Sequence, residues 1–255
     1  CMDLGDVLIM PATLKGEASH NAADYYSAFD KKNESARPGY YSVYLDGPRV
    51  KAEVTSTPHA GVYRFTFDDP ANAALLVDLN HAPAWNEKQY HTQTNACEVQ
   101  MDDEYTLSGH VRNTVWVEQD YWFVMRFSHP VAKQEFLKME KGEKGKRIVN
   151  RFSLKKGEQL GVTVALSSYS LDGARRNLQT EMGQLAAGLQ PWGQEPMPLE
   201  GRTPGLPANV FDSLVEKADA TWDSYLGRVE IDGTDDQKKN FYTGFYHALI
   251  QPNNI

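Results

Sequence analysis

Cysteine is nearly absent from this sequence, with only Cys1 and Cys97 among 255 residues. Two cysteines do not make a disulfide framework, and without CxxC spacing there is neither a redox motif nor a zinc knuckle. The count leaves the compartment open. Long apolar runs are lacking too: nothing approaches the ~20 residues that a membrane-spanning helix needs. Positive charge is short, with 26 Lys and Arg against 34 Asp and Glu for a net charge of −8, and the pI is about 5.4. A surface of that sign has no long-range attraction for nucleic acid or anionic membrane, so neither is an expected partner. Several ready-made chemistries are missing: there is no GxGxxG, P-loop, HExxH or GxSxG. The seven histidines form no i,i+4 pair and no zinc-finger spacing.

What is present is a β pattern in a chain long enough for one large β domain or one and a half average ones. It is clearest from Pro38 to Asn80. Tyr41, Val43 and Leu45 share one face of an extended segment, and Asp46-Gly47-Pro48 turns the chain. Val50, Ala52 and Val54 then alternate with Lys51, Glu53 and Thr55, the period of a half-buried strand. After the turn at Pro58–Gly61, Tyr63, Phe65 and Phe67 alternate with Val62, Arg64 and Thr66. Ala73–Leu79 is apolar nearly throughout and predicts a central strand. A meander of this kind with one wet face is the core of an antiparallel sandwich.

Elsewhere, Val7–Met10 predicts a short strand closed by Pro11, and residues 13–37 read as a polar loop. From His81 to Tyr105 there is no clean period, which predicts a long connection with one short strand. Strands resume at Val111–Val117, Tyr121–Phe127, Ile148–Leu154 and Leu160–Ser168, and the charged KMEKGEKGK from Lys138 to Lys146 reads as a solvated hairpin tip. Residues 183–207 are rich in proline and glycine and form the candidate linker. Beyond them the period becomes 3.6. Phe211, Leu214, Val215, Ala218, Trp222, Tyr225 and Leu226 mark one stripe of a helix over about 209–227. Thr234 with Gln237 has the capping-box form and opens a second helix carrying Phe241, Phe245 and Leu249, which Pro252 ends.

Several ordered words in the chain resemble glycoside hydrolase family 92, the calcium-dependent exo-α-mannosidases. They are Asn33-Glu34-Ser35-Ala36 leading into PGYYSVYL (38–45), KAEVTST (51–57), GVYRFTF (61–67) and ANAALLVDLNH from residue 71 on. VALSSYSLDGARRNLQTEM (164–182) resembles the strand, turn and short helix that close the family's sandwich domain, and FYTGFYHALIQPN (241–253) the first helix of its (α/α)6 catalytic barrel. The resemblance implies a mainly β fold. A large antiparallel sandwich spans 1–182, a linker with its bridging helix 183–232, and the first helix of a truncated barrel 233–255. At the start, Cys1-Met2-Asp3 with the following Gly5-Asp6 looks like the second half of the family's Gly-Thr-Gly-Cys-x-Asp segment. Where the family often has His-x-Asn-Glu, this sequence has Lys31-Lys32-Asn33-Glu34. The chain is therefore expected to be a fragment of a longer polypeptide cut at both ends. Without the resemblance, the lipidated first residue of a mature bacterial lipoprotein is a minor alternative for Cys1, and the fragment is the better reading.

The function implied is that of an inverting α-mannosidase, α-1,2 in type, trimming mannose from glycans in a secreted or periplasmic setting. Inversion needs a carboxylic acid and a carboxylate roughly 6.5–9.5 Å apart. The resemblance places both, with the Ca2+ ligands, downstream of Ile255, so no catalytic or metal residue is expected in this chain. Expected partners are a mannose-containing glycan and the chain's own C-terminal catalytic domain. Five residues are candidates for the rim of the cleft. Cys1 and Asp3 follow from the family segment. His81 ends an apolar strand, where sites cluster, although a hydrogen-bonded structural histidine is the competing reading. Trp85 and Trp192 lie in loops, where a flat ring is free to stack on a sugar. Trp116 and Trp122 fall inside strand patterns and Trp222 on the helical stripe, so packing explains them. Asp102-Asp103-Glu104 alternate faces on an extended chain and read as a solvated loop. Two rivals stand beside the enzyme reading: a lectin-like binding module without catalysis, and a sandwich-plus-barrel hydrolase or phosphorylase acting on another sugar.

Overall fold

The computed structural model describes residues 7–81, 93–114, 118–186 and 208–250. Two antiparallel sheets face each other. The smaller contains β1 (Leu8–Thr13), β6 (Ala73–Asp78), β11 (Arg147–Phe152) and β10 (Val131–Phe136), in the order β1-β6-β11-β10. The larger has the order β2-β3-β4-β5-β12-β9-β8-β7. Its strands are β2 (Glu34–Arg37), β3 (Tyr40–Leu45), β4 (Val50–Ser56), β5 (Ala60–Phe67), β7 (Gln93–Asp103), β8 (Thr106–Thr114), β9 (Glu118–Phe127) and β12 (Leu160–Ser167). The expected meander is β3-β4-β5, and the expected central strand is β6, all six residues of which are buried between β1 and β11.

Period-2 alternation decides what lies between the sheets. Val43, Leu45, Val50, Phe65 and Phe67 from the meander meet Leu75, Val77, Ile148 and Phe152 from the smaller sheet. Phe127 and Phe152 touch edge to face across the gap, their centroids 5.2 Å apart. Two further cores lie on the outer faces. On the smaller sheet, Tyr25 and Leu137 cover Ala74, Leu76 and Val149. On the larger, helices α1 (Leu171–Ala186) and α2 (Ala208–Leu226) cover Ala60, Val62, Val124 and Ala165. The last helix, α3 (Asp235–Leu249), begins with the expected capping box between Thr234 and Gln237 and has no buried residue.

Several sequence expectations need correction. The outer face of the meander is not wet where α2 lies on it, and Glu53, on its polar side, is 3% exposed. The stretch read as a polar loop over 13–37 contains β2 and a turn that buries Tyr25. β1 runs through Pro11, which an edge strand tolerates because its outward N–H is not needed. The connection after His81 ends in an 11-residue strand, β7. Its period is weak because it is the edge strand, with few buried residues to mark a face. β8 lies earlier than its apolar part suggested, since Thr106 and Ser108 are buried polar members of it. β10 is a charged edge strand with no apolar run to announce it. α1 continues past residue 182 to Ala186.

Where α2 meets the meander, the backbone itself is in contact. Gly39 has φ +80°, and a Cβ there would lie 2.7 Å from the Cβ of Ala218. Only glycine satisfies both demands. Arg37 adds a two-point ion pair to Asp219 at 3.1 and 3.0 Å.

Candidate functional site at the end of the four-stranded sheet

Strand register brings three strand ends together beside one sequence candidate, His81. Leu8 pairs with Asp78, and Arg147 pairs with Asp78 from the other side. The start of β1, the end of β6 and the start of β11 therefore share one end of the sheet. The Thr94 hydroxyl of β7 donates to the Leu79 carbonyl at 3.3 Å, so the chain re-enters the fold there as well. Residue 7 joins β1 at this end, and His81 stands exposed three residues past Asp78. The His81 side chain makes no hydrogen bond to another described residue. Cys1, Asp3, Trp85 and Trp192 lie outside the described residues, as does Trp116.

The side chains that hold this end are Asp78, Asn80, Glu143 and Arg147. Arg147 Nε donates to Asp78 Oδ2 at 2.8 Å, and its two terminal nitrogens donate to the two Glu143 oxygens at 3.0 and 2.7 Å. Asp78 Oδ1 accepts the Asn80 amide at 2.8 Å. The Asn80 side chain donates to Glu143 at 2.9 Å and accepts the Gly145 N–H at 3.0 Å. Burial alone would raise the Glu143 pKa, but the bonds from Arg147 and the Glu140 amide outweigh it and hold the group ionised below its usual range. The 138–146 hairpin is thus no free solvated tip. Glu143 and the buried Gly145 are built into the sheet end, and a Cβ on Gly145 would lie 2.5 Å from the Asn80 Cα. Nearby, burial pushes the Cys97 thiol up to about 11, which keeps it protonated and inert.

Hydrolysis of a glycoside needs a carboxyl whose pKa is raised, so that it arrives protonated. Among the described residues, every carboxyl that departs from its ordinary value is lowered. These include Glu53, Asp102, Asp120, Glu135 and Glu143, each engaged by arginine. Asp120, for instance, is gripped by Arg112 and by His110, which stacks on the half-buried Trp122 at 4.6 Å. Asp102 accepts from Ser108, and an Arg175 nitrogen on α1 lies 3.2 Å from it, while Asp103 caps the turn at Tyr105, so this triplet does structural work. No group of three or more His, Cys, Asp or Glu side chains among the described residues converges to hold a metal ion. The acidic groups here are committed to arginine and do not fit a Ca2+ site.

Two family profiles match the chain. The N-terminal-domain profile of glycosyl hydrolase family 92 matches residues 1–167, and that family's catalytic-domain profile matches residues 202–255. The chain belongs to glycoside hydrolase family 92. Among solved structures, the family 92 α-mannosidase BT3965 from Bacteroides thetaiotaomicron is 27% identical with a TM-score of 0.75, covering 96% of this chain and 31% of that one. The same enzyme in complex with mannoimidazole is 26% identical with a TM-score of 0.74 over the same shares of the two chains. The inverting mannosidase BT2199 from the same organism shares the fold at 21% identity and a TM-score of 0.70, covering 97% of this chain and 30% of its own. No curated protein matches the chain. The chain thus spans under a third of the length of these family 92 relatives, and no helix among its described residues is long and apolar enough to cross a membrane.

Proposed function

We propose that the chain is the N-terminal part of an exo-acting α-mannosidase, α-1,2 in type and inverting, which trims mannose from glycans outside the cytoplasm. The observation that carries this reading is the ordered match to both family 92 domains, together with a relative of like fold over 96% of the chain that is an α-mannosidase solved with mannoimidazole. In this reading the sandwich occupies 1–182, a linker with its helix 183–232, and the first barrel helix begins at 233. The sandwich supplies a wall of the cleft, with Cys1, Asp3, His81, Trp85 and Trp192 toward its rim. The acid, the base and the Ca2+ ligands belong to the catalytic domain that follows Ile255.

The test is a polypeptide carried through the whole catalytic domain, given an aryl α-mannoside and an α-1,2-linked mannobiose. Mannose should be released with the β-anomer formed first, as seen by proton NMR, and release should stop with a chelator and return with Ca2+. The 255-residue chain alone should release none. First-formed α-mannose would remove inversion, and turnover indifferent to chelator would remove the calcium. Glycan binding without any turnover would favour the lectin-like module.

A further inference from the structure

We propose that Arg147 is a positioning residue for the cleft: through Asp78 and Glu143 it fixes the backbone at Leu79–His81. The assignment of a cleft rests on the function proposed above. The fixing of the backbone does not.

The argument begins from cost. The Arg147 side chain is 11% exposed and that of Asp78 4%. Withdrawing such charges from water is expensive, and a well-packed apolar pair would serve stability as well or better. What an apolar pair lacks is direction. The guanidinium is a rigid fork, and here each prong has a fixed address: one nitrogen on Asp78 and two on Glu143. Both carboxylates in turn grip the same residue. Asp78 accepts the Asn80 main-chain N–H, Glu143 accepts the Asn80 side-chain amide, and the remaining Asn80 oxygen takes the Gly145 N–H. The Leu79 N–H donates to the Lys146 carbonyl at 2.8 Å. Asn80 is therefore held at its backbone and at both ends of its side chain, one residue before His81. A plain strand end frays. This one is clamped where β1, β6 and β11 converge, one residue before the exposed His81.

Two measurements test this. In the 255-residue chain, hydrogen exchange is followed for wild type, Arg147→Met and Arg147→Lys. The Met variant should exchange Leu79, Asn80 and Gly145 amides faster by about tenfold or more, with β5 amides unchanged, as expected for local opening rather than global unfolding. Lysine lacks the fork and should restore only part of the protection. Should the Met variant fail to fold, Glu143→Gln, which keeps the Asp78–Arg147 pair, gives the same reading. In the polypeptide extended through the catalytic domain, the Met variant should raise KM for an aryl α-mannoside by roughly tenfold, the signature of lost uniform binding. Its kcat should stay within about twofold, because uniform binding is what has been lost. Uniformly faster exchange, or a lower melting point with KM unchanged, would show Arg147 to be merely structural and overturn the proposal. A wild-type enzyme inactive on every α-mannoside would sink the proposed function instead, with the exchange experiment still deciding whether Arg147 holds the strand end.

Discussion

The guanidinium of Arg64 on β5 lies 4.3 Å above the ring of Phe211 on α2. The same arginine reaches Glu53 beneath it at 2.9 Å and Asp212 on the helix at 2.7 Å. Tyr40 also meets Phe211, edge to face, with the ring centroids 6.5 Å apart. Residues 202–255 match the family's catalytic domain, yet the first half of α2 packs into the sandwich's outer core. Phe211 is 4% exposed there, alongside Val210, Leu214 and Val215.

Phe211→Ala should therefore behave as a core truncation. Removing a buried phenylalanine ring typically costs about 3–5 kcal/mol, to be read as a shift in the urea midpoint. A loss under about 1 kcal/mol, typical of a surface site, would mean that α2 is only loosely attached.

Acid should weaken the same contact through Glu53. Burial by itself would raise its pKa, but hydrogen bonds from Arg64, Tyr40 and Lys51 more than reverse that and hold it at about 2, against 4.5 for the free side chain. Because the folded value is the depressed one, the stabilisation is complete above about 4.5 and disappears as the pH falls toward about 2. That depression corresponds to roughly 3 kcal/mol. In Glu53→Gln, stability at neutral pH should drop and its acid limb should flatten relative to wild type. Parallel limbs in the two proteins would show that Glu53 is not the group titrating.

How much of this was legible beforehand depends on whether a residue's role is local. Tyr63, Phe65 and Phe67 announce a strand face because alternation is a property of neighbours, and the Thr234–Gln237 box announces a helix start for the same reason. The word ALLVDL reveals a buried strand, but nothing in it shows that its aspartate would meet Arg147, which is 69 residues away. Glu53 reads as a solvent-facing position until α2, some 160 residues later, is laid over it. β7 and β10 escape notice because edge strands bury little and so carry a faint period. Of the candidate site, only His81 was both visible in the sequence and described in the structure. Register, through Leu8 and Arg147 on either side of Asp78, is what joins its strand end to two others.

Gly145 offers a steric test of that place. A Cβ there would lie 2.5 Å from both the Cα and the Cβ of Asn80, and neither the sheet end nor the hairpin has room to move apart cheaply. Gly145→Ala should cost about 1–3 kcal/mol, as overpacking does. Gly16→Ala, with nothing within 4 Å, is the matched control and should be nearly neutral. Equal effects at the two positions would mean that the hairpin is not seated on Asn80.

The last helix should prove dispensable to the sandwich. Its apolar stripe is of the size that gains ~1.5–3 kcal/mol per large side chain when taken out of water, but little of that gain is realised here. Phe241, Leu249 and Ile250 remain 36%, 38% and 44% exposed. α3 rests on the far end of α2 through the tyrosines beside its stripe. Tyr246 meets Trp222 edge to face at 4.8 Å, and the Tyr242 hydroxyl donates to the Val229 carbonyl at 2.9 Å. Both contacts fall beyond the part of α2 that enters the core. Deleting 233–255 should thus leave the melting temperature nearly unchanged and improve solubility, since it removes an exposed aromatic face. Deleting from 208 onward is the contrasting experiment. It strips Val210, Phe211, Leu214 and Val215 from the outer core, and at about 2–4 °C per kcal/mol for a domain of this size the drop should be many degrees. If the shorter deletion already lowers melting by that much, α3 belongs to the sandwich's own core, and the boundary between the two domains lies beyond it.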